Sequence, residues 1–187
     1  TSNGSFGNII SATHITASGN ISSSANIGMD GNLYVGGVVD VAGISLSNND
    51  AGSGNTIFGS GSGAVIASGG NYNAVFGQGA GGALTTGDTS VAVGFEALLT
   101  EDTNSENTAI GYQALKTQNG ADGNTAVGMR AGVDLTTGAA NTFVGAETAA
   151  NVTTGADNVM MGKAAGVTTL TSSGSVFIGR SAGTAAT

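Results

Sequence analysis

Residues 90–94 read SVAVG, and the same five-residue shape returns as NTAIG at 107–111, NTAVG at 124–128 and NTFVG at 141–145. Working outward, it continues as NTIFG at 55–59, NAVFG at 73–77, NVMMG at 158–162 and SVFIG at 175–179. The closing glycines are Gly59, Gly77, Gly94, Gly111, Gly128, Gly145, Gly162 and Gly179, spaced by 18 residues once and by 17 thereafter. A period held that strictly marks a repeat architecture. Seventeen residues are too few for a helical hairpin repeat, and apolar positions do not recur at helical spacing within the unit. The expected fold is therefore all-β, a repetitive β-solenoid: a parallel β-roll of eight rungs of about 17 residues over 55–187. Stacked at strand spacing, eight rungs extend on the order of 40 Å.

Within each unit the residue before the glycine is large and apolar (Phe58, Phe76, Val93, Ile110, Val127, Val144, Met161, Ile178), and so is the residue before that in most units. Successive strand side chains point to opposite faces, so both faces of this strand are expected to be buried. One face fills the coil; the other needs a partner, and identical chains packed as a homotrimer would supply it. Six units open with asparagine, at Asn55, Asn73, Asn107, Asn124, Asn141 and Asn158, while Ser90 and Ser175 interrupt the series. Asparagines stacked at rung spacing are expected to form a ladder in which each amide satisfies its neighbour. The glycines mark corners where a positive φ or a close backbone approach excludes a Cβ. Alanine follows three residues later in most units, and a second segment, ALTTG closing at Gly87, DLTTG at Gly138 and NVTTG at Gly155, is expected to form another strand of the coil.

The first third of the chain has a different period. Ile9, Ile15, Ile21, Ile27, Leu33 and Val39 lie six apart. That hexad predicts a narrow β-prism shaft over residues 1–46, with 47–54 as a junction rich in Ser, Asn and Gly.

Composition bounds the function. The chain has 34 Gly, no Pro, Cys or Trp, 5% aromatic and 9% charged residues, with a hydrophobic fraction of 40%. Charged residues make up about 25% of an ordinary domain, so Ser, Thr, Asn and Gly must form this surface. The formal charge is −8, and Lys116, Arg130, Lys163 and Arg180 are scattered. Without a basic stripe no nucleic-acid partner is expected. No apolar run approaches the roughly 20 residues of a membrane span, so no membrane insertion is expected.

Residues 54–187, and SVAVG and NTAIG most directly, resemble the head repeats of trimeric autotransporter adhesins, which form a left-handed parallel β-roll in a trimer. Joined to the upstream stretches ITASGNISSSANIG (15–28) and GNLYVGG (31–37), the pattern resembles bacteriophage tail-fibre proteins. The resemblance implies a homotrimeric fibre segment in a virion tail fibre that attaches to a host surface, with a cell-surface receptor or glycan as partner. The alternative is an extracellular filament or trimeric adhesin stalk at a cell surface. Such repeats specify architecture more than function.

No cofactor and no enzymatic activity are expected. GQGAGG (77–82) has the spacing of a dinucleotide-binding glycine motif, but no helical pattern follows it, and a corner of the second rung is the better account. His14 is the only histidine, which removes histidine-based triads and multi-histidine metal sites. Glu101, Asp102 and Glu106 gather in one inter-rung segment and are a weak calcium candidate, lacking the turn glycine and terminal ligand of an EF-hand loop. Asn3, Asn20 and Asn151 begin Asn-x-Ser/Thr triplets. Two minor alternatives are ice binding by the row Thr108, Thr125 and Thr142, and glycan cleavage by paired carboxylates.

Overall fold

The computed structural model describes residues 52–168 and 171–184. The hexad shaft, most of the junction, His14, Asn3 and Asn20 lie outside them. Among the described residues every element is a β-strand of three residues: β1 (Thr56–Phe58), β2 (Ala74–Phe76), β3 (Val91–Val93), β4 (Thr108–Ile110), β5 (Thr125–Val127), β6 (Thr142–Val144), β7 (Val159–Met161) and β8 (Val176–Ile178). They form one sheet in chain order, each strand parallel to the next. Thr108 pairs with Thr125, Ala109 with Ala126 and Ile110 with Val127, and the register is equally strict elsewhere. This is a β-solenoid. We number each coil by its strand, so that coil 3 begins at Ser90 and coil 4 at Asn107.

The corner glycines explain the repeat. A Cβ on Gly59 would lie 2.6 Å from the carbonyl carbon of Gly77, and one on Gly128 would lie 2.6 Å from that of Gly145. Backbone therefore stacks directly on backbone at this corner. Their φ values, such as +142° at Gly128, fall where L-residues are strained. Gly179 shares the dihedral, at φ +119°, but meets nothing.

Past the corner the chain makes two successive turns. Ala97 N donates to Gly94 O at 3.3 Å, and Gln118 N to Leu115 O at 3.3 Å. In the first, the third residue has positive φ, as in a type II turn. Glycine holds that place at Gly61 and Gly79, whereas Glu96, Gln113, Arg130 and Glu147 hold it later at φ of 52° to 57°.

The predicted second strand is a bend. Thr85 N and Thr86 N both donate to Asp102 O, at 2.7 and 3.3 Å, and the Thr85 hydroxyl joins them at 3.1 Å. Thr136 and Thr137 treat Thr153 O alike. Consecutive donors converging on one carbonyl cannot extend a ladder, which needs them pointing alternately. Coils still bond to one another here, but through a point.

The interior is narrow, and two positions fill it by exchanging size. Where the middle strand residue is Ile57, Val75, Met160 or Phe177, the residue six further on is Gly63, Gly81, Gly166 or Gly183. Where it is Ala92 or Ala109, that residue is Leu98 or Leu115, both fully buried. A Cβ on Gly63 would sit 3.0 Å from Ile57 Cδ1, one on Gly183 2.6 Å from Phe177 Cδ1, and one on Gly166 would overlap Met160 Sδ. Coil 5 breaks the rule with Ala126 and Gly132, because Phe143 of coil 6 and Leu115 of coil 4 occupy the space, 2.8 and 3.0 Å from where a Gly132 Cβ would be. Near-crystalline interior packing requires such compensation.

Candidate interaction surface

The two strand faces have opposite fates. The middle residues Ile57, Val75, Ala92, Ala109, Ala126, Phe143 and Met160 are buried in the coil. The row before the glycines faces outward: Phe58, Phe76, Ile110, Met161 and Ile178 are exposed, Ile178 at 65%, while Val93, Val127 and Val144 are half-buried. Within a single chain, then, only one of the two apolar faces is covered.

This face is wider than its repeat motif indicates. The residue after each corner glycine is Phe95, Tyr112 and Met129 in coils 3 to 5, all exposed, but Ser60, Gln78, Lys163 and Arg180 in coils nearer the ends. Phe95 stacks on Tyr112 with centroids 5.4 Å apart and planes at 11°, and Phe58 stacks on Phe76 at 5.1 Å and 16°. Ring-on-ring spacing near the coil repeat follows from the register. Aligned on their glycines, the units carry this second row at the position directly after the glycine, outside the Asn-x-apolar-apolar-Gly motif. Thr108, Thr125 and Thr142 lie half-buried on the same face, two residues from the exposed apolar row.

The asparagines stand inside, at the head of each strand. Asn124 Oδ1 accepts from Asn141 N at 2.9 Å, and Asn124 Nδ2 donates across the coil to Gly138 O at 2.9 Å. Asn55, Asn73, Asn107, Asn141 and Asn158 repeat the pattern, the last onto Ser175 N at 2.9 Å. Amide-to-amide bonds join the ladder where Asn141 Nδ2 and Asn158 Nδ2 reach the preceding Oδ1, each at 3.0 Å. The ladder thus runs mainly from side chain to backbone. Ser90 keeps half of it: its hydroxyl accepts from Asn107 N at 3.3 Å but donates locally to Asp88 O at 3.4 Å instead of spanning the coil.

The three carboxylates of coil 3 part company. Glu101 turns into the coil and is fully buried, Asp102 is half-buried against the Thr85 hydroxyl, and Glu106 is exposed. Among the described residues no three His, Cys, Asp or Glu side chains form a group that could hold a metal ion. GQGAGG lies in the corner and turns of coil 2, and Asn151 is exposed. Elsewhere Lys116 pairs with Glu96 at 2.7 Å. That bond and one from Gln113 hold the Glu96 carboxyl below the usual range. No helix of the described residues is long and apolar enough to cross a membrane. Comparison with protein-family models, with curated proteins and with solved structures finds no match.

Proposed function

We propose that this chain is a structural segment of a homotrimeric fibre, of the kind found in bacteriophage tail fibres, that serves attachment to a host surface through a receptor or glycan. The observation that carries the reading is the outward apolar row on β1 to β8. Exposed apolar patches larger than a few hundred Å² are rare on monomers and mark interaction surfaces. Side chains repeated once per coil are best met by a surface with the same spacing, and a second copy of this chain offers one. Rotation about an axis along the stack keeps all copies parallel and in step, and a ring of three closes. Burying the row would contribute about 25 cal/mol per Å² of apolar surface covered.

Light scattering on the full chain tests this: the expected mass is three times the 17.8 kDa of one chain. A monomer at micromolar concentration overturns the proposal, and a mass that grows without limit favours the filament alternative. The double variant I110K/V127K puts two charges on the outer row and leaves the coil interior untouched. It should give folded monomers, recognised by an unchanged circular dichroism spectrum and one third of the mass.

A further inference from the structure

Seven residues after each of the first six corner glycines the chain points a side chain into the coil, and the column it makes is Ile66, Leu84, Glu101, Gln118, Leu135 and Val152, all buried. Two polar residues thus lie in adjacent coils within an apolar column. Gln118 Nε2 donates to Glu101 Oε2 at 2.9 Å and also to Ala121 O, while Gln118 Oε1 is buried with no hydrogen-bond partner. Glu101 Oε1 accepts from Asn104 N at 3.0 Å, which ties the carboxyl to its own loop, residues 100–106.

Among the described residues no cation pairs with this carboxyl. Lys116, from coil 4, is engaged with Glu96. The charges around Glu101 are acidic: Asp122 of coil 4 acts on it through space while accepting from Ser105 N at 2.7 Å. Asp102 of its own coil faces the Thr85 hydroxyl, Glu106 is exposed, and Asp88 of coil 2 accepts from Asn71 N at 2.6 Å, on the side of coil 1. On the coil 2 side the same column presents Leu84.

We propose that Glu101 is a proton-operated latch on the 100–106 loop: protonated, it holds the loop stacked in the coil, and ionised, it loosens the loop toward water. A buried ion without a counterion is costly, whereas a neutral acid is not.

Burial pushes the Glu101 carboxyl up to about 7, Asp122 acts in the same direction, and the bonds from Asn104, Asp102 and Gln118 oppose them only in part. Because the folded value lies above the unfolded one, this group's stabilisation is complete below the unfolded value of 4.5 and is lost as pH rises through about 7. The latch rests on the coil stack alone and is independent of self-association.

Thermal midpoints and amide exchange, corrected for intrinsic rates, should be measured on the full chain from pH 5 to 8, beside E101Q. The wild-type midpoint should fall across this range, and protection of the 100–106 amides should drop by about tenfold or more relative to coils 5 and 6, tenfold being one pH unit of linkage. E101Q should show neither trend. A wild-type midpoint independent of pH, or an equal slope in E101Q, overturns the proposal. If E101Q does not fold, the carboxyl carbon of Glu101 in the wild type decides: titration near 7 supports the latch, and titration at an ordinary glutamate value refutes it.

Discussion

Gly128 and Gly179 hold the same place in their repeats and nearly the same dihedral, yet a Cβ on one strikes the carbonyl of Gly145 while a Cβ on the other strikes nothing. G128A should therefore cost about 3 kcal/mol or more, adding overlap to positive-φ strain, whereas G179A should cost about 1–2 kcal/mol from strain alone. Urea unfolding of the two variants measures the difference; equal losses would mean that conformation, not contact, selects the glycine. At this scale the sequence was legible wherever chemistry leaves a single solution. A corner that excludes every side chain shows as an unbroken column of glycine. The asparagine column was visible too, but not the direction of its bonds, because an amide can serve another amide or a main-chain group equally well. In the sequence, Glu101 groups with Asp102 and Glu106 in one inter-rung segment, as a weak calcium candidate. Its place in the column with Leu84 and Leu135 separates it from Asp102 and Glu106, and that place appears only when the units are aligned on their glycines.

The coil is a three-residue strand followed by turns, and its core depends on an exchange of volume between two of its positions. Met160 with Gly166 in coil 7 and Ala109 with Leu115 in coil 4 are two solutions to one packing problem. G166L alone should unfold coil 7, since Met160 already fills the space. The pair M160A/G166L copies coil 4, where Leu115 has a φ of 47° against 69° at Gly166, and should recover most of the loss. A double-mutant cycle should give a coupling of at least about 1 kcal/mol, as expected for residues that share one cavity. Additivity would show that the exchange is only apparent. The parallel stacking of the strands and their register followed from the period. The bend at Thr85 and Thr86 did not, because Thr-Thr favours extended chain by propensity, and the capture of both amides by Asp102 O depends on the neighbouring coil.

Over the whole stack, each coil pairs only with the coils on either side, in one register. Stability in such arrays is close to a sum of coil and interface terms. Deleting residues 95–111 removes one period and joins Gly94 to Tyr112, setting Ala92 against Leu115 as before. The product should fold with one coil fewer and unfold cooperatively by circular dichroism at a somewhat lower midpoint. Coil 1 takes an eighteenth residue between Ile66 and Gly70, at the bend, and its strand keeps register with β2. Deleting 95–110 instead leaves the extra residue, Gly111, at the tight main-chain corner, and should lower the midpoint further than deleting 95–111; equal midpoints would show that the corner tolerates an insertion as the bend does. The outward row was legible, since alternation alone says that one of two adjacent apolar residues must leave the coil. Its breadth around Phe95 and Tyr112 was not, because those residues fall outside the motif that defines the repeat.

The corner at which glycine lies on glycine has a consequence for descent. A junction made only of main chain is the same between any two neighbours, so a slip in copying that gains or loses seventeen codons rejoins the chain at a seam that already fits. A lineage can change the number of its coils in one event, with no second change needed at that corner to repair the first.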